Sequence, residues 1–161
     1  MYVAVERALA PTPEVTEIVG ELDAVLGALY TPDQRHGLRI EQLFEPNIRF
    51  FLAYSDGALA GCGGVAFFAG YAEVKRMYTR EAMRGRGVAK AILARLEQEA
   101  RAAGMPLLRL ETGTKQDAAI GLYERCGFRR RGAFGHYAEL PPHRVETSIF
   151  YEKPLQGGTS S

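Results

Sequence analysis

Apolar positions along the chain change period several times, and each change marks an element. The opening YVAVERAL alternates like a half-buried strand, and Pro11 and Pro13 close it. Val15, Ile18, Val19, Leu22, Val25 and Leu26 then recur at helical spacing through about Tyr30, with Pro13-Glu14 suited to a helix entry. After the polar break TPDQRHG, a short amphipathic stretch carrying Leu38, Ile40, Leu43 and Phe44 predicts a second helix.

From Ile48 the period is 2. IRFFLAY, ALAGCGGVAFF and YAEVKRMYT read as three strands joined at Ser55-Asp56-Gly57 and at Gly70, which argues for an antiparallel meander. A helix follows from Gly87 to Ala103. Val88, Ile92, Leu93, Leu96 and Ala100 form one face, Lys90, Arg95, Glu97 and Arg101 the other, and Gly104 stands as its C-terminal cap. The strand PLLRLETG, a helix from about Gln116 to Arg125, the strand GFRRRG and the alternating segment HRVETSIFYEKPL complete the order. The fold class predicted is mixed α/β (α+β), with about seven strands. Without a repeat or an interior linker, residues 1–155 read as a single domain and 156–161 as a disordered C-terminal tail.

Composition narrows the function classes. The chain has 161 residues, 47% hydrophobic and 24% charged, enough to fill one core and too apolar for disorder. No uncharged apolar run approaches the roughly 18 residues of a membrane span, and no basic-then-apolar start marks a signal peptide. A net charge of +1 argues against nucleic acid or an anionic membrane as partner. Cys62 and Cys126 lie far apart in apolar surroundings and read as buried free thiols, which fits a reducing cytoplasm. His36, His136 and His143 show no metal-ligand spacing, so no metal is expected. Arg129, Arg130 and Arg131 read as a solvated charge run.

The chemistry concentrates in MYTREAMRGRGVAKAIL. A strand ends near Thr79, Arg84-Gly85-Arg86-Gly87 forms a loop, and a helix begins at once. Helix N-termini leave N–H groups unpaired and carry partial positive charge, glycines allow close approach, and a pyrophosphate is the natural guest. There is no GxxxxGK[ST], and no GxGxxG opens this helix, since Lys90 stands where the third glycine would be.

Arg84-Gly85-Arg86-Gly87-Val88-Ala89 resembles the R/Q-x-x-G-x-G/A signature of the GNAT superfamily, the Gcn5-related N-acetyltransferases. Ala119 through Phe128, AIGLYERCGF, is similar to the A-x-x-L-Y-x-x-x-G-F segment of the same family, and the element order agrees from Tyr2 to Leu155. AEVKRMYT, RLETGTKQ and the terminal EKPL also resemble a bacterial subgroup of small-molecule acetyltransferases.

The resemblance implies a GNAT fold, a predominantly antiparallel mixed sheet with helices on both faces. It also implies acetyl-CoA as co-substrate. Its pyrophosphate would lie on the amides of Arg84, Gly85, Arg86, Gly87, Val88 and Ala89. Its pantetheine arm would pair with the backbone around Met77, Tyr78 and Thr79, where that strand splays from the next. Tyr123 matches the tyrosine that protonates the departing thiolate, and Glu73 is the candidate base. Gln116 stands where relatives position the pantetheine with an asparagine. The activity implied is acetyl transfer to a primary amine of a small molecule by direct attack, in a monomer or homodimer. The alternatives are a protein N-terminal or lysine acetyltransferase, and a non-catalytic acyl-CoA-binding module. Acceptor choice falls to about Tyr30 to Phe44 and Phe134 to Val145, with His136 and Tyr137 as candidate contacts.

Overall fold

A computed structural model describes residues 2–155; the expected tail at 156–161 lies outside the described residues. Seven strands form one sheet: β1 (Val3–Ala8), β2 (Ile48–Ser55), β3 (Ala58–Phe68), β4 (Tyr71–Thr79), β5 (Leu107–Gly113), β6 (Arg129–Arg131) and β7 (Ser148–Pro154). Their spatial order is β1-β2-β3-β4-β5-β7-β6. β2, β3 and β4 make the expected antiparallel meander, β1 flanks β2 antiparallel, β5 joins β4 in parallel, and β7 then pairs antiparallel with both β5 and β6. The helices are α1 (Pro13–Leu29), α2 (Val88–Ala102), α3 (Asp117–Arg125) and the single turn α4 (Pro142–Val145).

Strand alternation sends the core to two faces. On β2, Phe50 and Leu52 meet Val15, Ile18 and Val19 of α1, whereas Phe51 and Ala53 meet Ile92, Leu93 and Leu96 of α2. α1 starts at Thr12, whose hydroxyl accepts the Val15 amide at 3.4 Å, and carries Pro13 in its first turn. α2 packs tightly because β3 presents glycines to it. A Cβ on Gly61 would lie 2.6 Å from the Tyr78 carbonyl oxygen, and one on Gly63 2.6 Å from Ile92 Cγ2.

Two expected elements take another form. Ile40–Phe44 is a 3-10 turn, because Pro46 disfavours helical backbone at Glu45 and five residues cannot sustain an α-helix. The last segment begins not as a strand but as α4, which Pro142 initiates, and β7 starts only at Ser148. Cys62 is buried as expected, but Cys126 is only half-buried, since α3 ends beside an opening in the sheet.

That opening is the important feature. β4 and β5 pair only through Ala72–Leu108, Glu73–Arg109 and Val74–Leu110. Past Val74 the two strands part. On the other edge of β4, the pairing with β3 slips at Arg76, which takes the left-handed φ of 57°. This bulge bends the strand.

Gly61→Ala should destabilise the protein by about 1–3 kcal/mol, because the carbonyl it would strike is backbone. Gly20→Ala, in mid-α1 with open space around it, should stabilise by about 0.5–1 kcal/mol. Urea unfolding with an unchanged m-value checks both signs.

Candidate functional site

A cavity of about 880 Å³ runs through the opening, bounded by β4, β5, the last turns of α1, the start of α2 and one side of α3. At one end Arg84, Gly85, Gly87, Val88 and Ala89 line it; Arg86 does not. Gly85 and Gly87 hold φ values of 79° and 78°, a conformation that favours glycine. Gly87 is the N-cap of α2 and supplies no side chain to its first amides. α1 differs, since Thr12 caps it. The α2 terminus therefore presents open N–H groups to an anion. The Arg84 amide departs from the expected donor set, because it already donates to the Glu81 carbonyl at 3.3 Å.

Along the middle, Met77, Tyr78 and Thr79 border the cavity on a strand with no β5 partner at that level. The Tyr78 side chain turns away, its hydroxyl donating to Glu21 at 3.4 Å. Gln116 lines the cavity at the start of α3, and its Oε1 accepts the Gly113 amide at 3.0 Å, so its carbonyl is committed to the turn. A side chain on Gly113 would overlap the hydroxyl of Tyr30, which accepts the Lys115 amide at 3.0 Å.

Two carboxylates and two tyrosines stand at the throat. Glu73 is only 2% exposed and is not an edge residue, since β5 covers its strand. Its Oε2 accepts the Tyr137 hydroxyl at 2.6 Å and lies 3.3 Å from Lys75 Nζ. Lys75 also donates to the Tyr137 hydroxyl at 3.0 Å. Burial first, then the Glu73 charge, raises the Tyr137 phenol far above its usual range.

Glu111, on the neighbouring strand, was not singled out in the sequence. It shares one face of β5 with Arg109, as Glu73 and Lys75 share one face of β4; the register sets Arg109 beside Glu73, and Glu111 lies just past the last paired position, where the strands part. Its only hydrogen-bond partner among the described residues is the Ser148 hydroxyl, which donates at 2.7 Å. Burial pushes its carboxyl up to about 7; Glu73 adds to the rise, and Ser148 and Lys75 offset part of it. The available signal was the lone carboxylate in the apolar run LLRLETG, yet the strand alone does not say what faces it.

Tyr123 sits on α3 across the gap, buried at 5% exposure. Among the described residues its hydroxyl has no hydrogen-bond partner, and burial holds the phenol well above its usual range, with Glu111 adding to the shift. The remaining candidates lie elsewhere. Arg129, Arg130 and Arg131 are exposed on β6, where Arg131 pairs with Glu152 at 2.6 Å. His136 stacks on Tyr137, and Cys62 is sealed in the α1 core, its thiol pushed up to about 12 by burial.

Known proteins resemble this chain in sequence and fold. The Acetyltransferase (GNAT) family profile matches residues 18–128. An IAA acetyltransferase of Azospirillum brasilense is 43% identical over 88% of this chain and 90% of its own. The uncharacterized N-acetyltransferase YsnE of Bacillus subtilis is 33% identical over 88% of this chain and 93% of its own. Among solved structures, one from Klebsiella pneumoniae assigned as an acyl-CoA N-acyltransferase superposes with a TM-score of 0.74 at 34% identity, covering 95% of this chain and 97% of that one. The PaiA N-acetyltransferase of Thermoplasma acidophilum, solved in complex with coenzyme A, shares the fold at a TM-score of 0.70 and 17% identity, covering 96% and 99%. With an uncapped helix at one end of a parted sheet and carboxylates at its throat, this chain belongs to the GNAT acetyltransferase family and is an acetyl-CoA-dependent N-acyltransferase.

Proposed function

We propose that the enzyme acetylates the primary amine of a small molecule by direct attack on acetyl-CoA, without a covalent acyl-enzyme. The observation that carries this reading is the single cavity joining the open α2 terminus to Glu111 and Tyr123. Its lining supports a small acceptor: beyond the cofactor end it is bordered by α1, Arg35–Gly37 and Tyr137, and its size falls in the small-molecule range. The coenzyme A complex of the Thermoplasma relative supports the cofactor assignment. Unpaired cysteines agree with a cytoplasmic location.

Bound acetyl-CoA supplies the activated acetyl group as a thioester. The amides of Gly85, Gly87, Val88 and Ala89 would hold its pyrophosphate, and the free edge of Met77 and Thr79 would align its arm. An acceptor amine arrives largely protonated, so a base near neutral pKa is needed. Glu73 and Glu111 serve as a pair. Glu73, the base the sequence points to, is held by Lys75 and Tyr137, and its charge raises the proton affinity of Glu111. Glu111 takes the amine proton. Tyr123, which burial keeps protonated through neutral pH, gives its proton to the departing thiolate and takes the second nitrogen proton as the tetrahedral adduct collapses, so that it ends neutral.

Calorimetry should show acetyl-CoA and CoA binding while ATP and NAD give no heat; silence from both CoA species would sink the reading. Because the Glu111 carboxylate is lost as pH falls through about 7, kcat/KM should fall about tenfold per pH unit below that value. Glu111→Gln should lower kcat by about 100-fold or more and erase that limb, and Tyr123→Phe should lower kcat comparably with the KM for acetyl-CoA unchanged.

The same raised carboxyl pKa affects stability in the opposite sense. The folded protein binds a proton more tightly than the unfolded chain between about 4.5 and about 7, so Glu111 favours folding below that window, and its contribution is lost as pH rises through it. Glu111→Gln should therefore melt higher than the parent protein at pH 8, with the gap closing toward pH 4.

A further inference from the structure

A second cavity, of about 410 Å³, adjoins the first, and Arg35, His36, Gly37 and Lys75 line both. None of the residues from Met77 to Lys90 that border the cofactor end reaches it. Its lining holds Arg35, Arg39, Lys75, Arg144, His36 and His136, and no Asp or Glu. Local carboxylates neutralise only part of this charge. Lys75 is paired with Glu73, and Arg39 with Glu41 at the surface. Arg35 and Arg144 have no carboxylate partner among the described residues; Arg144 Nε donates only to the Asp33 carbonyl, at 3.3 Å.

Arg35 is the informative member. Its Nε is buried and has no hydrogen-bond partner, although a guanidinium hydrogen shut away from water ordinarily finds one. Arg35 lines both cavities, and its side chain lies against α1, where a Cβ on Gly27 would stand 3.4 Å from Arg35 Nη1. His36 next to it donates from Nε2 to the Arg144 carbonyl at 2.8 Å, and so ties the two acceptor-side segments together. Its imidazole pKa lies below the usual value, first through burial and then through the positive charge of Arg144 and Lys75. A site with this much unshared positive charge beside a proton-accepting carboxylate matches a ligand that carries one group of each sign.

We propose that this junction is an anion subsite and that the acceptor is an amine bearing a carboxylate, with Arg35 as its principal contact. The inference rests on the acetyl-transfer reading above. The carboxylate takes the Arg35 guanidinium, which accepts such groups in a planar, two-bonded geometry, and the amine then faces Glu111 across Lys75. An unsubstituted alkylamine leaves Arg35 unpaired and forfeits that energy.

The test measures thiol release at saturating acetyl-CoA for the proteinogenic amino acids and for β- and ω-amino acids. Each is compared with its carboxamide, its decarboxylated amine and its phosphonate analogue. Carboxylate acceptors should exceed their amides by about 10- to 100-fold in kcat/KM, the range for a hydrogen bond to a charged group. Phosphonates exceeding carboxylates would overturn the assignment of the anion. Arg35→Met should raise the KM of a carboxylate acceptor by about the same factor and leave kcat and the KM for acetyl-CoA unchanged, and Arg35→Lys, which keeps the charge but not the planar fork, should restore only part of the loss. Amides or plain amines turned over as well as carboxylates, or an Arg35→Met enzyme with an unaltered acceptor KM, would overturn the subsite. So would an enzyme that binds acetyl-CoA yet acetylates no carboxylate-bearing amine in the panel. The comparison of acceptors on the unmodified enzyme decides even where the Arg35 variants fold poorly. Failure to bind acetyl-CoA would instead remove the reading beneath it.

Discussion

The structure turns on the parting of β4 from β5 beyond Val74. Two parallel neighbours that remained paired to their ends would seal the sheet, and no ligand would reach Tyr123 from the side of Glu111. The bend that opens them is set at Arg76, whose left-handed backbone is costly for a side chain with a Cβ. Tertiary contacts hold it there. Its guanidinium pairs with Asp23 of α1 at 2.5 Å, its carbonyl accepts the Cys62 thiol at 3.2 Å, and Gly37 leaves room for the side chain. The gap leaves backbone groups of β4 without a ladder, and such groups require a partner. In the acetyl-transfer reading, an extended amide-bearing cofactor arm would meet that requirement.

The same gap lets charge into the interior. Burying Lys75 or Glu73 alone would be prohibitive, but together with the Tyr137 hydroxyl they satisfy one another. Lys75 also reaches the His36 carbonyl at 3.5 Å, so the network joins β4, the segment after α1 and the turn at Tyr137. Glu111 lies outside that closed set, with one neutral donor. This unequal provision separates two carboxylates on adjacent strands: Glu73 holds two donors, one of them cationic, whereas burial dominates at Glu111 and brings its proton affinity to the neutral range.

The regular elements were legible because each depends on local chemistry. Alternation on β2 to β4, the single apolar stripe of α2 and the glycine pair that opens it are properties of short windows of sequence. Misreadings fell where proline competes with periodicity, at Glu45-Pro46 and Pro141-Pro142, and periodicity is silent where an apolar helix face lines a cavity. Val25 and Leu26 continue the stripe of α1, yet Val25 is exposed and both border the opening instead of the core. Helical spacing of apolar residues records which of them share a face, not whether protein or ligand covers it.

Sequence by itself determined most of the order of strands and helices and, through the resemblance its short motifs carry, the family and the candidates Glu73 and Tyr123. Alternation, helical spacing and motifs each lie within a short window of chain. Only the tertiary structure decided which residues meet. Glu111 comes within the influence of the Glu73 and Lys75 charges because parallel pairing sets Arg109 opposite Glu73 and puts Glu111 just past the last paired position, a register no local window contains. Arg35 and Arg144 come to share one cavity although 109 positions separate them along the chain, since α4 packs beside the 3-10 turn Pro32–Gln34. Proton affinity and charge recognition are properties of the space between elements, and that space exists only once the sheet has bent.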